Sequence, residues 1–255
     1  MSTALVVLGP RRGVRKSRRL LSVDEYRRLF WAIVQRDLVE TTLIPVCSAW
    51  ALTALRLRRL RMLVGLTLMG ECGLRVGECC ALRWTSVRSV HDGEPVFTLP
   101  RDVAKGGRER LVVATPCLVW VLRWWMCALP ELMEVVGGDF VLSLGGPGGR
   151  PSTRCLQKGV RAAALRHLGF PISPHTLRRT YGDRCRQAGD LRLAQLALGH
   201  AHLSSTERYV GGALHERCQL AARMAGELFP GGVPDVDYRA WVNKDPETRE
   251  VVADV

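Results

Sequence analysis

The segment SPHTLRRTY at residues 173–181 indicates a helix with a chemically active face. Ser173 is a residue type that favours helix N-caps, so the segment predicts a helix that begins here and continues to about residue 188. His175 and Arg178 are three residues apart and share one face of that helix, whereas Leu177 lies on the other. The segment therefore predicts a basic, hydrogen-bonding helix face beside a buried one.

Two segments downstream add residues that suit phosphoryl chemistry. The segment LALGH at residues 196–200 predicts a helix that ends at Gly199, so the ring of His200 can project from a loop. Tyr209 follows nine residues after His200. A tyrosine phenol can attack phosphorus and keep the energy of the broken bond in a phosphotyrosine, and arginine pairs bind phosphate oxygens. The combination indicates chemistry at a phosphate.

An upstream segment, GLRVGECCALRW at residues 73–84, supplies a second arginine. Arg75 and Glu78 are three residues apart, so they are expected to share a helix face, where the carboxylate can orient the guanidinium. Taken alone, the pair is also compatible with a surface ion pair worth about 0.3–0.5 kcal/mol.

Lys105 lies in a glycine-rich turn between two short β-like runs, residues 96–99 and 111–113, which predict a hairpin. A lysine at such a tip can donate a proton to a leaving alkoxide or contact a phosphate. Taken alone, the pattern favours a solvated turn lysine over a catalytic one.

The composition favours a polyanionic partner. The chain has 255 residues, with 37 Lys+Arg, 24 Asp+Glu and a net charge of +13. This surplus favours nucleic acid as the partner, with an acidic membrane surface as the second candidate. The alternative is a basic surface that is only solvated. The chain contains no uninterrupted run of about 18 apolar residues, so no membrane span is expected. The nine cysteines lack paired metal-site spacing and are predicted to be buried free thiols in a reducing, cytoplasmic compartment.

Helical periodicity dominates the rest of the chain. A capping box from Ser22 to Glu25 predicts the first helix, and Ser152 is expected to cap the helix that begins at residue 153. The expected fold is mostly α (α+β), with a small antiparallel sheet and further helices at about residues 44–71, 75–82, 118–129, 153–168, 191–198 and 213–228.

Taken together, these segments resemble the tyrosine recombinase family, the phage-integrase and Xer-like enzymes. Residues 73–84 are similar to the box T-G-L-R-x-x-E-L-x-x-L-x-W, and residues 174–181 to H-x-L-R-H-T-F. Residues 198–209 are similar to L-G-H-x8-Y, and residues 105–107 to the G-K-G-x-K hairpin. The resemblance covers about residues 22–228 and implies a helical catalytic domain that cleaves and rejoins DNA at specific sites, in recombination or integration. It implies no metal or nucleotide cofactor.

The resemblance also implies a role for each motif residue. The six catalytic positions would be the nucleophile Tyr209, the phosphate-clamping Arg75 and Arg178, the proton donor Lys105, and His175 and His200. The two histidines would hydrogen-bond the phosphate and assist proton transfer. Glu78 would support these six residues by positioning the active-site groups. Tyr181 lacks the spacing from His200 and is expected in the core.

The expected organisation is a basic arm at residues 1–19, a catalytic domain at 20–230 and a mildly acidic tail at 231–255. The helical core-binding domain that usually precedes this domain in the family is expected to be absent, so the chain would be a minimal recombinase, a fragment, or one half of a pair completed by a second protein. The expected partner is double-stranded DNA in the nucleoid, bound by a homotetramer, with no membrane. Candidate DNA contacts are Arg11, Arg12, Arg15, Lys16, Lys158 and Arg161.

Two other functions are compatible with the resemblance. A catalytically silent DNA-binding regulator is disfavoured because all six catalytic positions are filled. A type IB topoisomerase is disfavoured by the L-G-H box and the close Arg–His spacing. The helix at residues 213–228 is expected to dock either on a neighbouring protomer or on its own domain.

Overall fold

The computed structural model describes residues 19–39, 49–91, 96–104, 107, 109–128, 140–143, 149–189, 195, 198 and 210–233. The predicted fold class is confirmed, because this part of the chain is mostly helical with one two-stranded antiparallel sheet. The helices are α1 (Val23–Ala32), α2 (Ala49–Gly70), α3 (Val76–Ala81), α4 (Trp84–His91), α5 (Pro116–Ala128), α6 (Thr153–Leu168), α7 (Pro174–Ala188) and α8 (Val210–Leu228). The strands are β1 (Val96–Leu99) and β2 (Arg110–Val113), and a π-helical segment, Ile33–Val39, continues α1.

Serine side chains begin three of these helices, as predicted. The hydroxyl of Ser22 accepts from the backbone N–H of Glu25 at 3.1 Å, and the Glu25 carboxylate accepts from the N–H of Ser22 at 2.9 Å. Ser152 and Ser173 cap α6 and α7 in the same way, each at 3.2 Å. These bonds satisfy N–H groups that have no partner inside the helix, so the helix starts are fixed locally.

Helix α2 lies at the centre of the core. Every residue from 62 to 70 is buried, because α2 packs against α3, α5, α6, α7 and the π-helical segment. A helix that is apolar on all sides is buried on all sides. The end of α2 thereby carries the 71–75 segment into the middle of the molecule, next to α7.

The hairpin is antiparallel, with Val96 opposite Val113 and Leu99 opposite Arg110. Gly107, in the connection between the strands, has φ +63°, a left-handed conformation that glycine adopts without strain. Lys105 lies outside the described residues.

Helix α8 packs against α1, α5, α7 and β2 of its own chain. Leu220, Met224 and Leu228 are buried there, and the indole N–H of Trp31 donates to the carbonyl of Leu228 at 2.9 Å. The helix begins at Val210, three residues earlier than predicted.

Several predictions of detail need correction or fall outside the described residues. Helix α4 was not predicted, because its eight residues are too few for the apolar spacing of Trp84 and Val87 to indicate a helix. Cys155 is exposed, contrary to the prediction, because its position on α6 faces away from the core; the described cysteines that are buried are Cys72, Cys79, Cys80, Cys117 and Cys185. The predicted helix at 191–198 is described only at residues 195 and 198. Among the described helices, none has the length and apolar character needed to cross a membrane.

Candidate active site

Arg178 is a buried arginine that joins three distant parts of the chain. Its side chain, on α7, is 6% exposed. One terminal nitrogen, Nη1, donates to the carbonyl of Gly73, and Nη2 donates to the carbonyl of Leu198 at 2.6 Å. Because both acceptors are backbone atoms, the guanidinium is held in a fixed position relative to α7, the end of α2 and Leu198.

Gly73 is required at its position for two reasons. Its φ of +65° is left-handed, and a Cβ atom there would lie 2.4 Å from the ring of Tyr181. Tyr181 is 6% exposed and belongs to the core, as predicted. The close approach of ring and backbone brings the Gly73 carbonyl to Arg178.

Arg75 and Glu78 form a pair, but its geometry differs from the prediction. Arg75 is the N-cap of α3 with extended backbone, so the two residues do not lie along one helix face. The Glu78 carboxylate accepts from the backbone N–H of Arg75 at 2.8 Å and from its guanidinium at 2.9 Å. The Glu78 side chain is 2% exposed and that of Arg75 is 32% exposed, which excludes a simple surface ion pair.

Arg110, the first residue of β2, is a third arginine at this site that the sequence reasoning missed. Its guanidinium donates to both carboxylate oxygens of Glu78, at 3.1 and 2.8 Å, and its side chain is 14% exposed. The sequence offered one signal, an arginine at the start of a β-like run. It gave no link to Glu78, since 32 residues separate the two.

The charges of these residues act on one another. Burial and then the positive charge of Arg75 lower the pKa of Arg178 to about 10, with a smaller contribution from Arg110. Burial alone would raise the pKa of Glu78, but hydrogen bonds from Arg110 and from the backbone of Arg75 outweigh it and lower the pKa to about 2. Arg178 and Glu78 are therefore both charged at neutral pH. Two arginines bind the Glu78 carboxylate and a third lies near them, so positive charge exceeds negative charge and the site attracts a further anion.

We expect the substitution Glu78→Gln to lower the free energy of unfolding in a pH-dependent way. The folded-state pKa of Glu78 lies below its ordinary value of 4.5, so the carboxylate stabilises the fold above pH 4.5, by about 3 kcal/mol. This contribution is lost as the pH falls from about 5 towards 2. Urea denaturation of both proteins between pH 7 and pH 3 should show the difference shrinking. A difference that stays constant would contradict the assigned pKa.

Asp24→Asn is the matched control for this measurement. Asp24 pairs with Arg27 at 2.6 Å, but its side chain is 81% exposed. We expect a loss of less than about 0.5 kcal/mol at either pH, since exposed ion pairs contribute little.

The other predicted site residues are placed as follows. His175 is exposed on the first turn of α7, one turn before Arg178. Lys158 and Arg161 are exposed on α6. Within the part of the chain that the structure describes, no cluster of three His, Cys, Asp or Glu side chains can hold a metal ion. The predicted residues outside the described ranges are Lys105, His200, Tyr209, Arg11, Arg12, Arg15 and Lys16.

The fold and the site define a mostly helical domain with an anion-attracting arginine cluster. The profile of the phage integrase family matches residues 42–214, which is more than half of the chain. The chain therefore belongs to the phage integrase family, and the resemblance seen in the sequence is confirmed.

Individual relatives agree with this assignment. The chain is 35% identical over 144 residues to the tyrosine recombinase XerC of Chromobacterium violaceum, covering 56% of this chain and 45% of that protein. It is 30% identical over 169 residues to a tyrosine recombinase of Thermosipho africanus, covering 65% of this chain and 54% of the relative. The chain thus spans about half the length of these relatives.

Two solved structures share the fold. The integrase from mycobacterium phage Brujita superposes with a TM-score of 0.55 at 20% identity, covering 93% of this chain and 67% of that one. The XerA recombinase superposes with a TM-score of 0.53 at 23% identity, covering 82% of this chain and 65% of that one.

Proposed function

We propose that residues 20–230 form the catalytic domain of a site-specific recombinase that cleaves and rejoins double-stranded DNA through a 3′-phosphotyrosine. One observation carries the proposal: three arginines from separate elements lie close together. Arg75 and Arg110 bind the carboxylate of Glu78, and the charge of Arg75 lowers the pKa of Arg178. Such a cluster of partly buried cations, held in place by Glu78 and by backbone carbonyls, suits a DNA phosphodiester.

The geometry supports different duties for the two clamping arginines. Arg178 is fixed by two carbonyls, so its guanidinium is preorganised. Arg75 is one-third exposed and anchored by Glu78, so it can reach a bound phosphate. Their N–H groups would bind the non-bridging oxygens and stabilise the charge that grows on those oxygens as the fifth bond to phosphorus forms.

The described residues next to the remaining catalytic candidates support their assignment. Ala104, which precedes Lys105, is buried. The carbonyl of Leu198, two residues before His200, binds Arg178. Helix α8 begins at Val210, immediately after Tyr209, and packs on α7 and β2. The described residues that adjoin His200 and Tyr209 thus belong to segments that contact Arg178 or its helix.

The proposed reaction conserves bond energy. The Tyr209 oxygen attacks phosphorus and its proton passes to one of the histidines, His175 or His200, which also hydrogen-bond the phosphate. The bond to the 5′-oxygen breaks, and Lys105 gives that oxygen a proton. A 5′-hydroxyl of another strand then attacks the phosphotyrosine, and the tyrosine oxygen leaves and regains a proton. Phosphate ester bonds are exchanged one for one, so the reaction consumes no nucleotide cofactor.

A basic stripe on α6 is the proposed DNA-backbone contact. Its members are exposed and spaced at helical intervals: Arg154, Lys158 and Arg161. The opposite face of α6 is buried and packs towards α3 and α7, the helices that carry Glu78 and Arg178. Arg154 was missed by the sequence reasoning, although its spacing from Lys158 was available. The stripe lies on an element that adjoins the arginine cluster, so it can hold the duplex beside it.

The double substitution Lys158→Gln, Arg161→Gln is expected to weaken binding to any duplex DNA. It should also reduce the slope of log Kd against log salt concentration by about 2, because each residue is proposed to neutralise one phosphate. Fluorescence anisotropy across a salt series measures both quantities. The matched control, Arg123→Gln with Arg223→Gln, removes two exposed charges from α5 and α8 and should leave the slope within about 0.5. Equal changes in the two variants would contradict a specific role for α6.

We further propose that four copies assemble on two DNA sites in the nucleoid, since exchange of two duplexes requires four strand cleavages. A second protein is proposed to add further contacts to the same DNA. The basic arm, with Arg11, Arg12, Arg15 and Lys16, is proposed to add phosphate contacts. Chemical cross-linking of the full chain on DNA would count the copies, and a dimer alone would contradict the assembly.

The proposed function is tested by trapping covalent protein–DNA adducts. The full chain is incubated with fragmented genomic DNA of its source, the reaction is stopped with SDS, and DNA that remains attached to protein is sequenced. We expect the wild type to retain fragments that share one site and Tyr209→Phe to retain none. DNA binding without any adduct would overturn the recombinase assignment in favour of a silent DNA-binding protein, and adducts spread over unrelated sequences would favour a topoisomerase.

A further inference from the structure

We propose that Arg110 is a positioning residue, which holds Glu78 and, through it, the guanidinium of Arg75 in the orientation that a DNA phosphate requires. The inference rests on the proposed recombinase function and deepens it. Neither the family motifs quoted above nor the sequence reasoning assigns a role to Arg110.

The hydrogen bonds of Glu78 carry the proposal. Its Oε1 atom accepts from the guanidinium of Arg75 at 2.9 Å and from Nη1 of Arg110 at 3.1 Å. Its Oε2 atom accepts from the backbone N–H of Arg75 and from Nη2 of Arg110, both at 2.8 Å. Each oxygen thus accepts two bonds, one from each arginine, which fills the acceptor capacity of a carboxylate.

This arrangement makes Arg110 the support on which the Arg75 contact depends. Two parallel bonds from one guanidinium fix the plane of the Glu78 carboxylate as well as its position. Without Arg110, a carboxylate that is 2% exposed would lose two of its hydrogen bonds and the support that fixes its plane. The carboxylate would then rotate more freely, and the Arg75 guanidinium that it anchors would lose its fixed orientation towards a substrate.

Arg110 also links the β1–β2 hairpin to the arginine cluster. It opens β2, five residues after Lys105 in the sequence, and it lies opposite Leu99 of β1. The next residue, Leu111, accepts a hydrogen bond through its carbonyl from Arg217 of α8 at 2.9 Å. The start of β2 is therefore bonded to α3 on one side and to α8 on the other.

The competing interpretation is that the Arg110–Glu78 bridge only fastens β2 to α3. Lysine at position 110 distinguishes the two, since it keeps the charge but makes one bond where arginine makes two. A purely structural bridge predicts a loss of stability with no selective loss in the chemical step.

The kinetic test uses single-turnover cleavage of a nicked DNA that the wild type cleaves. We expect Arg110→Lys to lower the cleavage rate constant about 10–100-fold, the effect of misplacing a catalytic group by a fraction of an ångström to 1 Å, with DNA affinity within about 3-fold of wild type. Arg101→Lys, an exposed position in the same hairpin, is the matched control and should cleave at the wild-type rate.

A modified substrate then separates positioning from stability. A methylphosphonate at the scissile position lacks the negative charge that Arg75 is proposed to balance. On that DNA, Arg75→Lys and Arg110→Lys should therefore each lower the cleavage rate constant by less than about 3-fold. A penalty for Arg110→Lys that stays the same on both substrates would overturn the inference.

A measurement without DNA keeps the inference testable if the wild type forms no adduct and the proposed function fails. NMR follows the Nε–Hε signal of Arg75, which is assigned because it disappears in Arg75→Lys. In the wild type, its heteronuclear NOE should be that of a rigid side chain. In Arg110→Gln the side chain should approach the mobility of Arg101. An Arg75 side chain that is equally rigid in both proteins would show that Arg110 does not position it.

Discussion

Replacing Arg178 by lysine is expected to lower the rate constant of DNA cleavage about 10²–10³-fold, the typical effect of removing one preorganised donor from a charge-stabilising site. Arg178 donates to the carbonyls of Gly73 and Leu198, and these bonds set the direction of its remaining N–H groups. A lysine keeps the charge but cannot bind two carbonyls and a phosphate in one plane. Single-turnover cleavage measures the rate constant, and anisotropy measures the affinity for DNA.

The matched control for this prediction is Arg186→Lys on the same helix. Arg186 is 56% exposed and pairs with Asp183 of the same helix at 2.9 Å. We expect wild-type cleavage from this variant. If Arg178→Lys also cleaves DNA at the wild-type rate, Arg178 has no role in the cleavage step and the prediction is wrong.

Replacing Arg184 by methionine is expected to lower the free energy of unfolding by about 3–5 kcal/mol, because it leaves a buried carboxylate without its partner. Arg184 is 3% exposed and bonds Glu71, which is fully buried, at 2.5 Å. It also donates to the Glu227 carboxylate at 2.8 Å and to the carbonyl of Met224 at 3.1 Å. These bonds join the end of α2 and helix α7 to helix α8, so the loss should appear in the global transition.

Thermal and urea denaturation check this result, with an expected fall in Tm of roughly 6–20 °C. Arg186→Met, two residues further along α7, breaks an exposed pair and should cost less than about 1 kcal/mol. The double variant Glu71→Leu, Arg184→Met should recover most of the loss, since no buried charge is then left unpaired. Equal stabilities for Arg184→Met and Arg186→Met would rule out the buried network as a major source of stability.

The features that could be predicted from the sequence are those set by neighbouring residues. The caps at Ser22, Ser152 and Ser173 involve atoms only three residues apart, so residue type and spacing were sufficient. The hairpin at residues 96–113 was predicted for the same reason, from β-branched runs on either side of a glycine turn. The arginine boxes were recognised by their order and spacing along the chain.

The features that could not be predicted depend on packing between distant segments. Arg178 and Gly73 are 105 residues apart, and Arg184 and Glu71 are 113 apart, so no local pattern joins them. The pairing of Arg75 with Glu78 was predicted, but its geometry was not, because the helix start at Val76 is set by where the chain leaves α2. Arg110 was missed because its partner is found only once the hairpin is docked on α3.

The central claim is tested most directly by identifying the residue that carries the DNA in a trapped adduct. The adduct is trimmed with nuclease, digested with trypsin and sequenced by tandem mass spectrometry. The account predicts a nucleotide attached through its 3′-phosphate to Tyr209, in a peptide that contains residues 209–217. A nucleotide on any other side chain, or one attached through its 5′-phosphate, would contradict the account.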